Sequence, residues 1–263
     1  MQDLAVPVLV HEPLSAGYRR LVLDAPTIAH AARPGQFVHI RVTGLETAAL
    51  RRPFSIYEAE NNRLAILYKT VGRGTDRLSR LRPGDTLNVL GPLGNGFPLT
   101  ASGPSLLVAG GYGVAPLVFL ARHLPAKGLA LIGGRTTEDV LCAENFEALG
   151  WEVRSATMDG SRGTRGMVSD LLDAWISRHA ADTPPAAIYA CGPDGMLRAV
   201  GARSASLDCP IWLSLDKHMV CGVGACLACV QRLRRPDGTT CLGRVCRDGP
   251  IFEARTVVWE DAK

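Results

Sequence analysis

The chain has 263 residues and a formal net charge of +4, with 47% hydrophobic and 21% charged residues. The length allows one large domain or two to three small ones, each with its own buried core, and the composition is that of a globular protein rather than a disordered or fibrous chain. The positive charge is spread along the chain rather than gathered in one block, so we expect no nucleic-acid partner. We also expect no membrane span, because glycines and Pro116 interrupt the most apolar stretch, and no signal peptide, which predicts a cytoplasmic protein.

Residues 1–100 contain short β-like runs separated by turn signals such as Pro-Gly and Asn-Asn. Several short strands at this spacing predict a small antiparallel barrel. The candidate strands are 5–10, 18–23, 36–42, 54–58, 64–69 and 86–90.

Residues 101–213 change to strands that alternate with helices, the pattern of a parallel α/β sheet. The candidate strands are 106–109, 129–132, 151–156, 187–190 and 211–215. The candidate helices are 114–123, 144–149, 167–179 and 194–204. We therefore predict a second domain here, and a third, small domain over 214–263.

The third segment is rich in cysteine and glycine and has little periodicity, so we expect a metal rather than an apolar core to organise it. Cys221, Cys226 and Cys229 have the C-x4-C-x2-C spacing of plant-type ferredoxins, which bind a 2Fe-2S cluster. Gly222 and Gly224 are expected to take positive φ, so that backbone N–H groups approach the sulfur atoms.

Zinc is the main competing metal for these cysteines. Structural zinc sites usually present two short C-x2-4-C pairs, whereas this segment has only one. The reach of the loop alone allows either Cys241 or Cys246 to be the fourth ligand. A spectrum would separate the two metals, since zinc proteins are colourless.

Three short motifs in the first domain resemble the flavin site of the ferredoxin reductase superfamily. The first is Arg52, Pro53, Phe54 and Ser55, similar to an Arg-x-aromatic-Ser motif whose arginine pairs with flavin pyrophosphate. The second includes Tyr68, Lys69, Gly72, Gly74 and Thr75, where glycines and a hydroxyl would meet phosphate oxygens. The third, residues 91–97, resembles the segment that closes the barrel. Taken singly, each motif could be a solvated arginine or an ordinary turn.

Two motifs in the second domain resemble the nicotinamide site of the same superfamily. Gly110, Gly111 and Gly113 lie between a strand and a helix whose N-terminus would face a pyrophosphate. Cys191, Gly192 and Pro193 resemble a Cys-Gly-Pro motif whose cysteine faces the nicotinamide. After the second strand, Arg135 would favour NADPH, whereas Glu138 or Asp139 would favour NADH. Family analogy favours NADH.

The order of these motifs resembles the electron-transfer subunits of two-subunit, NAD-linked dihydroorotate dehydrogenases across nearly the whole chain. In that family the last cysteine of a C-x-D/E-G-P-V/I-F ending is the fourth cluster ligand, which selects Cys246 here. Two features depart from the family pattern. Tyr112 stands where another glycine is common, and residues 216–218 (Asp-Lys-His) replace a more acidic approach to the cluster.

The resemblance implies FAD, a 2Fe-2S cluster and NAD(H) as cofactors and an FMN-containing catalytic subunit as partner, in a heterotetramer. Electrons from dihydroorotate would pass through the cluster and FAD to NAD+, in pyrimidine biosynthesis. The cofactors carry this chemistry, so we assign no catalytic acid or base to the chain. The alternatives are a reductase for an oxygenase, a subunit of a hydrogenase or glutamate-synthase type of complex, and a zinc-stabilised interaction protein.

Overall fold

The computed structural model of the protein describes residues 1–42, 50–100, 102–179 and 183–259. Among these residues, no helix is both long enough and apolar enough to cross a membrane.

The first part of the chain forms a closed six-stranded barrel with antiparallel pairing, as predicted. Its strands are β1 (Gln2–Ser15), β2 (Tyr18–Asp24), β3 (Phe37–Arg41), β4 (Arg52–Glu60), β5 (Arg63–Lys69) and β6 (Thr86–Leu93). They are arranged in the order β1-β2-β5-β4-β3-β6. Alternate residues fill the interior, as the buried and partly exposed pattern along β6 shows.

Two short helices, α1 (Pro26–Ala31) and α2 (Arg73–Leu78), lie in connections between barrel strands and were not predicted. Six residues are too few to show a helical period, so the sequence pattern could not indicate them. α2 begins directly after Gly72, which turns the predicted glycine-rich turn into the start of a helix.

The second part forms the predicted α/β sheet. Its parallel strands are β7 (Leu106–Gly110), β8 (Leu129–Gly134), β9 (Glu152–Thr157), β10 (Thr164–Arg165), β11 (Ile188–Cys191) and β12 (Ile211–Ser214). The helices are α3 (Val114–His123), α4 (Ala143–Ala148), α5 (Val168–His179) and α6 (Asp194–Ala202). α3 is buried along almost its whole length because it packs between sheet and barrel: Phe119 joins the barrel core, while Leu117 joins the core beneath the sheet.

The C-terminal segment 214–263, called the tail below, contains a hairpin of β13 (Val230–Arg234) and β14 (Thr240–Arg244), followed by β15 (Ile251–Glu253). β15 pairs antiparallel with β12 and so extends the sheet to the order β10-β9-β8-β7-β11-β12-β15. An otherwise open sheet edge is thereby covered.

The tail also shares the hydrophobic core of the sheet, which differs from the expectation that a metal alone organises it. Met219, Val245 and Phe252 are buried in the same cluster as Val108 of β7 and Leu213 of β12. These apolar residues are scattered over the tail, so they show no period in the sequence and become a core only against the sheet.

Candidate functional site

The flavin motif, residues 52–55 at the start of β4, lies beside the turn at residues 72–75. A Cβ added to Gly74 would come within 2.9 Å of Arg52 Nε, so the Arg52 side chain lies directly against this turn. The structure therefore brings together two segments that the sequence proposed for a flavin diphosphate. Arg52 also donates hydrogen bonds to the carbonyl of Leu50.

The Thr75 hydroxyl is already used within this turn. Its Oγ1 accepts hydrogen bonds from the N–H groups of Val71 (2.9 Å) and Gly72 (3.1 Å), and it donates one to the Gly72 carbonyl (3.0 Å). These contacts shape the chain beside Arg52 into a tight entry to α2. Thr75 therefore holds the shape of this turn through its own hydrogen bonds.

Tyr68 faces the interior of the barrel rather than the Arg52 side. It is 2% exposed, packs edge-on against Phe54 with ring centroids 5.8 Å apart, and its hydroxyl lies 2.8 Å from His11 Nε2. Because strand residues alternate between faces, Lys69 points the other way, toward the α/β sheet. A contact of Tyr68 with a flavin would therefore involve its backbone.

Lys69 joins a polar network between the barrel and the loop after β8. Its Nζ lies 3.0 Å from Asp139 Oδ1, and Tyr18 donates a hydrogen bond to the same oxygen at 2.7 Å. Burial and the Asp139 contacts raise the pKa of Tyr18 to about 12. Burial opposes ionisation of Asp139, but hydrogen bonds from Tyr18, Lys69 and the Arg135 N–H outweigh it and lower its pKa.

This network differs from the prediction that Asp139 could bind a ribose hydroxyl. Its second oxygen, Oδ2, accepts the N–H groups of Arg135 (3.1 Å) and Thr136 (3.4 Å), so both oxygens are engaged by the protein. The sequence could not reveal this, because Tyr18 and Lys69 lie far from Asp139 along the chain. Glu138 stays exposed in the same loop.

The two nicotinamide motifs meet because β7 and β11 are neighbours, with Ala109 opposite Cys191. A Cβ on Gly113 would lie 2.3 Å from the Cys191 carbonyl oxygen, and one on Gly110 would lie 2.9 Å from Pro193 Cδ. Both glycines are thus required by the close approach of the two loops. Gly111 takes φ +55°, which also favours glycine.

Cys191 is buried at the end of β11, and this burial raises the pKa of its thiol to about 12. The thiol therefore stays protonated at neutral pH and provides a small, uncharged wall. Tyr112, which departs from the family pattern, is 49% exposed beside it. Burial and the nearby Asp216 and Cys191 raise the pKa of Tyr112.

The loop at residues 157–166 lines the same carboxyl edge of the sheet and was missed in the sequence. The N–H groups of Met158 and Asp159 bond to the carbonyls of Gly134 and Arg135, both at 3.2 Å. The turn at 159–163, Asp-Gly-Ser-Arg-Gly, directly after a predicted strand, was the available signal.

The four predicted cluster cysteines come together as two pairs. The thiols of Cys221 and Cys226 contact each other, as do those of Cys229 and Cys246, and the Cys246 N–H lies 3.4 Å from Cys229 Sγ. Among the described residues, no three His, Cys, Asp or Glu side chains converge on a position for a single metal ion. These two thiol pairs would suit a two-iron cluster, whose four ligands are shared between two metal ions, better than a single tetrahedral zinc.

The loop at 221–229, called the cluster loop below, has the predicted backbone. Gly222 and Gly224 take φ of +71° and +84°. The N–H groups of Val223 and Ala225 point at Cys221 Sγ, at 3.5 and 3.3 Å. Burial opposes ionisation of the Cys221 thiol, but hydrogen bonds from these N–H groups and from Cys226 outweigh it and lower its pKa to about 6.

Cys241 lies apart on β14, in register with Leu233 of β13. Its neighbour in the tail, Cys246, is the cysteine whose thiol reaches Cys229. The geometry therefore favours Cys246 over Cys241 as the fourth ligand.

A pocket of about 380 Å³ connects the flavin motif with the segment that leads into the cluster loop. Arg52 and Pro53 line one side, and residues 216–219 line the other. Asp216 opens to this pocket, yet burial and the nearby Asp194 raise its pKa. Lys217 is held by Asp194 at 3.2 Å. Residues 216–218, which differ from the family pattern, thus form one wall of this pocket.

Three family models match consecutive parts of the chain. An oxidoreductase FAD-binding domain matches residues 5–97, and an oxidoreductase NAD-binding domain matches 107–202. The iron-sulfur cluster binding domain of dihydroorotate dehydrogenase B matches residues 216–258.

Curated relatives match over nearly the full length. The chain is 40% identical to the electron transfer subunit of dihydroorotate dehydrogenase B (NAD(+)) from Geobacillus sp. (strain WCH70), over 98% of this chain and 99% of the relative. It is 42% identical to the Bacillus caldolyticus subunit of the same name, over 90% and 91%.

Among solved structures, an NADH-dependent reduced ferredoxin-NADP oxidoreductase is 29% identical and superimposes with a TM-score of 0.84, over 97% of this chain and 90% of the other. A ferredoxin reductase of carbazole 1,9a-dioxygenase is 21% identical with a TM-score of 0.66, over 81% and 68%, and shows the shared fold alone.

Proposed function

We propose, since this chain belongs to the electron transfer subunits of NAD+-dependent dihydroorotate dehydrogenase B, that it passes electrons between a catalytic partner subunit and NAD(H). The observation that carries this proposal is the pocket shared by the flavin motif and the approach to the cluster loop. The rate of one-electron transfer falls steeply with the distance between the two cofactors, so the flavin and the cluster must be neighbours. This pocket adjoins both proposed sites.

The residues that would hold each cofactor follow from the close approaches described above. Arg52 and the Gly72–Thr75 turn would hold the FAD diphosphate, with residues 53–55 along the ring. Gly110, Gly111, Gly113 and residues 191–193 would hold the nicotinamide nucleotide. The thiol pairs Cys221/Cys226 and Cys229/Cys246 would hold the cluster. When bound, FAD converts between hydride and single-electron transfer, and the 2Fe-2S cluster carries single electrons.

The chain itself orients these groups and excludes competing chemistry. The protonated Cys191 thiol and the glycine loops shape an uncharged nicotinamide site, and the Arg52 guanidinium supplies positive charge for a diphosphate. Three units share this work, with proposed boundaries at 1–100, 101–213 and 214–263.

The partner is proposed to be an FMN-containing catalytic subunit, in a heterotetramer that serves pyrimidine biosynthesis. Its docking face would include the edge of the cluster loop, where Cys226 is exposed and Leu227 is 60% exposed at φ +61°. A cytoplasmic location is part of this proposal, because the four cluster cysteines must stay reduced to bind iron.

The test compares the chain alone with the reconstituted complex. The purified chain should contain one FAD and one 2Fe-2S cluster and should reduce an artificial dye with NADH, without oxidising dihydroorotate. Adding the catalytic subunit should couple dihydroorotate oxidation to NAD+ reduction, and Cys226→Ser should abolish that coupling while dye reduction survives. Dihydroorotate turnover by the chain alone, free of partner, would overturn the subunit assignment.

A further inference from the structure

His39 is a buried imidazole at the junction of the two proposed cofactor sites. It lies on β3 and is 0% exposed, and neither ring nitrogen completes a hydrogen bond of good geometry with a described residue, although the backbone of Cys221 lies within reach of the ring. Leaving a buried polar group without a good hydrogen bond is costly, so native proteins rarely do so without a functional reason.

The ring faces the cluster loop. Val38 and Ile40 on either side of His39 fill the barrel interior, so His39 points outward from the barrel. A Cβ added to Gly222 would lie 2.4 Å from His39 Nδ1 and 3.0 Å from its Cε1. Gly222 follows the ligand Cys221 directly and has φ +71°. Both its conformation and the space taken by the imidazole therefore exclude a side chain at this position.

The backbone of His39 faces the flavin motif at the same time. On β4, Pro53 is its register partner, and Arg52 and Phe54 stand opposite its two neighbours. Arg51 donates a hydrogen bond to the His39 carbonyl at 3.2 Å. One residue thus connects the strand of the flavin motif with the first turn of the cluster loop.

We infer that His39 is a positioning residue for the cluster, whose ring N–H donates a hydrogen bond to the sulfur atoms held at Cys221. This inference rests on the proposed function and adds a residue that no sequence motif indicated. Reduction adds negative charge to an iron-sulfur cluster, so a donor aimed at its sulfur atoms stabilises the reduced form and raises the potential. The imidazole also fixes the distance between the cluster loop and the flavin strand.

Three substitutions separate the hydrogen bond from simple packing. His39→Leu removes the donor and keeps an apolar side chain of similar size. His39→Asn places an amide N–H near the position of Nδ1, and His39→Gln places one near Nε2. His123→Leu, at an exposed position on α3, controls for the loss of an imidazole elsewhere.

The measurements are flavin and iron content, NADH-dependent dye reduction, the electron paramagnetic resonance spectrum of the reduced cluster and its midpoint potential. In His39→Leu, the ratio of reduced to oxidised cluster at a fixed ambient potential should fall at least tenfold, which equals 59 mV for a one-electron couple. One of the two amide variants should restore the wild-type potential, and dye reduction should stay normal throughout.

An unchanged potential and spectrum in His39→Leu would overturn the inference. Equal shifts in all three His39 variants would also overturn it, since they would make the ring a packing group only. If His39→Leu fails to fold, the two amide variants decide the question alone. If neither amide variant has the wild-type potential, the ring N–H has no role in setting that potential. Absence of a cluster signal in the wild-type chain would instead contradict the proposed function.

Discussion

Single residues in this protein act mainly through close approach. Gly74 lies directly against the Arg52 side chain, and Gly113 lets one loop touch the Cys191 carbonyl. A methyl group at position 113 would meet the Cys191 backbone, whereas one at position 74 would displace the Arg52 side chain. Arg52 is the proposed partner of the FAD diphosphate, so its loss has a defined expected consequence.

Arg52→Ala should weaken FAD retention by about 1.5–3 kcal/mol, because a diphosphate loses a charge-assisted partner. The measurement is the dissociation constant of FAD, determined by fluorescence after the flavin has been removed. Arg63→Ala, an exposed arginine at the start of β5, is the matched control and should bind FAD normally. Equal weakening in both variants would show that Arg52 acts only through general charge.

The ligand choice in the tail is also decided at single residues. Cys246→Ser should abolish the paramagnetic signal of the reduced cluster, because the Cys229 side would lose its paired thiol. Cys241→Ser should retain the signal, since that cysteine lies apart on β14. The reverse result, with the signal lost in Cys241→Ser and kept in Cys246→Ser, would show that the ligand assignment is wrong.

At the scale of elements, the barrel and the sheet are joined by a latch of Tyr18, Lys69 and Asp139. Tyr18 begins β2, Lys69 ends β5, and Asp139 lies in the loop after β8. The Asp139 side chain is only 14% exposed and receives four donors. The latch therefore holds the loop near the proposed nucleotide site against the barrel.

Asp139→Asn should reduce the free energy of unfolding by about 1–2 kcal/mol, because an amide N–H₂ would face donors. The pKa of Asp139 is lowered on folding, so its contribution is present above the ordinary value of 3.8 and is lost as the pH falls through the folded value. The pKa of Lys69 is raised, so its contribution persists below 10.5 and is lost at higher pH.

The expected result is a stability gap between wild type and Asp139→Asn that is constant from about pH 5 to 9 and narrows in acid. Urea unfolding at a series of pH values measures it. Asp159→Asn, an exposed acid in the neighbouring loop, is the control. If the difference in unfolding free energy between the two proteins stayed the same at pH 3, the charge of Asp139 would not be what stabilises the contact between barrel and sheet.

At the scale of the whole molecule, the tail is part of the body that holds the cofactors. β15 completes the sheet, and Asn95 after the last barrel strand bonds to the tail at three points, the carbonyls of Arg247, Asp248 and Gly249. Barrel, sheet and tail thus fix each other, which keeps the proposed flavin and cluster sites at a constant separation.

Deletion of residues 216–263 should therefore not yield a stable, shorter flavoprotein. It removes the partner of β12 and exposes the core around Leu213 and Val108, at a cost of about 5 kcal/mol or more, which is comparable to the stability of a whole domain. Solubility and cooperative thermal unfolding are the measurements. Cys246→Ser provides the comparison, since it should lose the cluster and keep the fold. A soluble truncated chain with normal melting would contradict this view of the tail.

Much of the fold and part of the candidate site could be predicted from local patterns in the sequence. Period-two alternation located the six barrel strands, alternating strands and helices indicated the parallel sheet, and the spacing of Cys221, Cys226 and Cys229 indicated a two-iron cluster. Such signals can be read because each depends on residues close together in the chain. The motif at 52–55 was likewise visible as a short, contiguous resemblance.

Only the tertiary structure decided which distant groups meet. Tyr18 and Lys69 bind the carboxylate of Asp139, which the sequence suggested as a ligand of a ribose hydroxyl. His39 lies against Gly222, and the scattered apolar residues of the tail form a core against β12. None of these pairs is close in sequence, and each depends on which face of a strand a side chain takes and on which strands become neighbours. Those two choices are set by packing of the whole chain, because burial of apolar surface rewards the complete arrangement rather than any single segment.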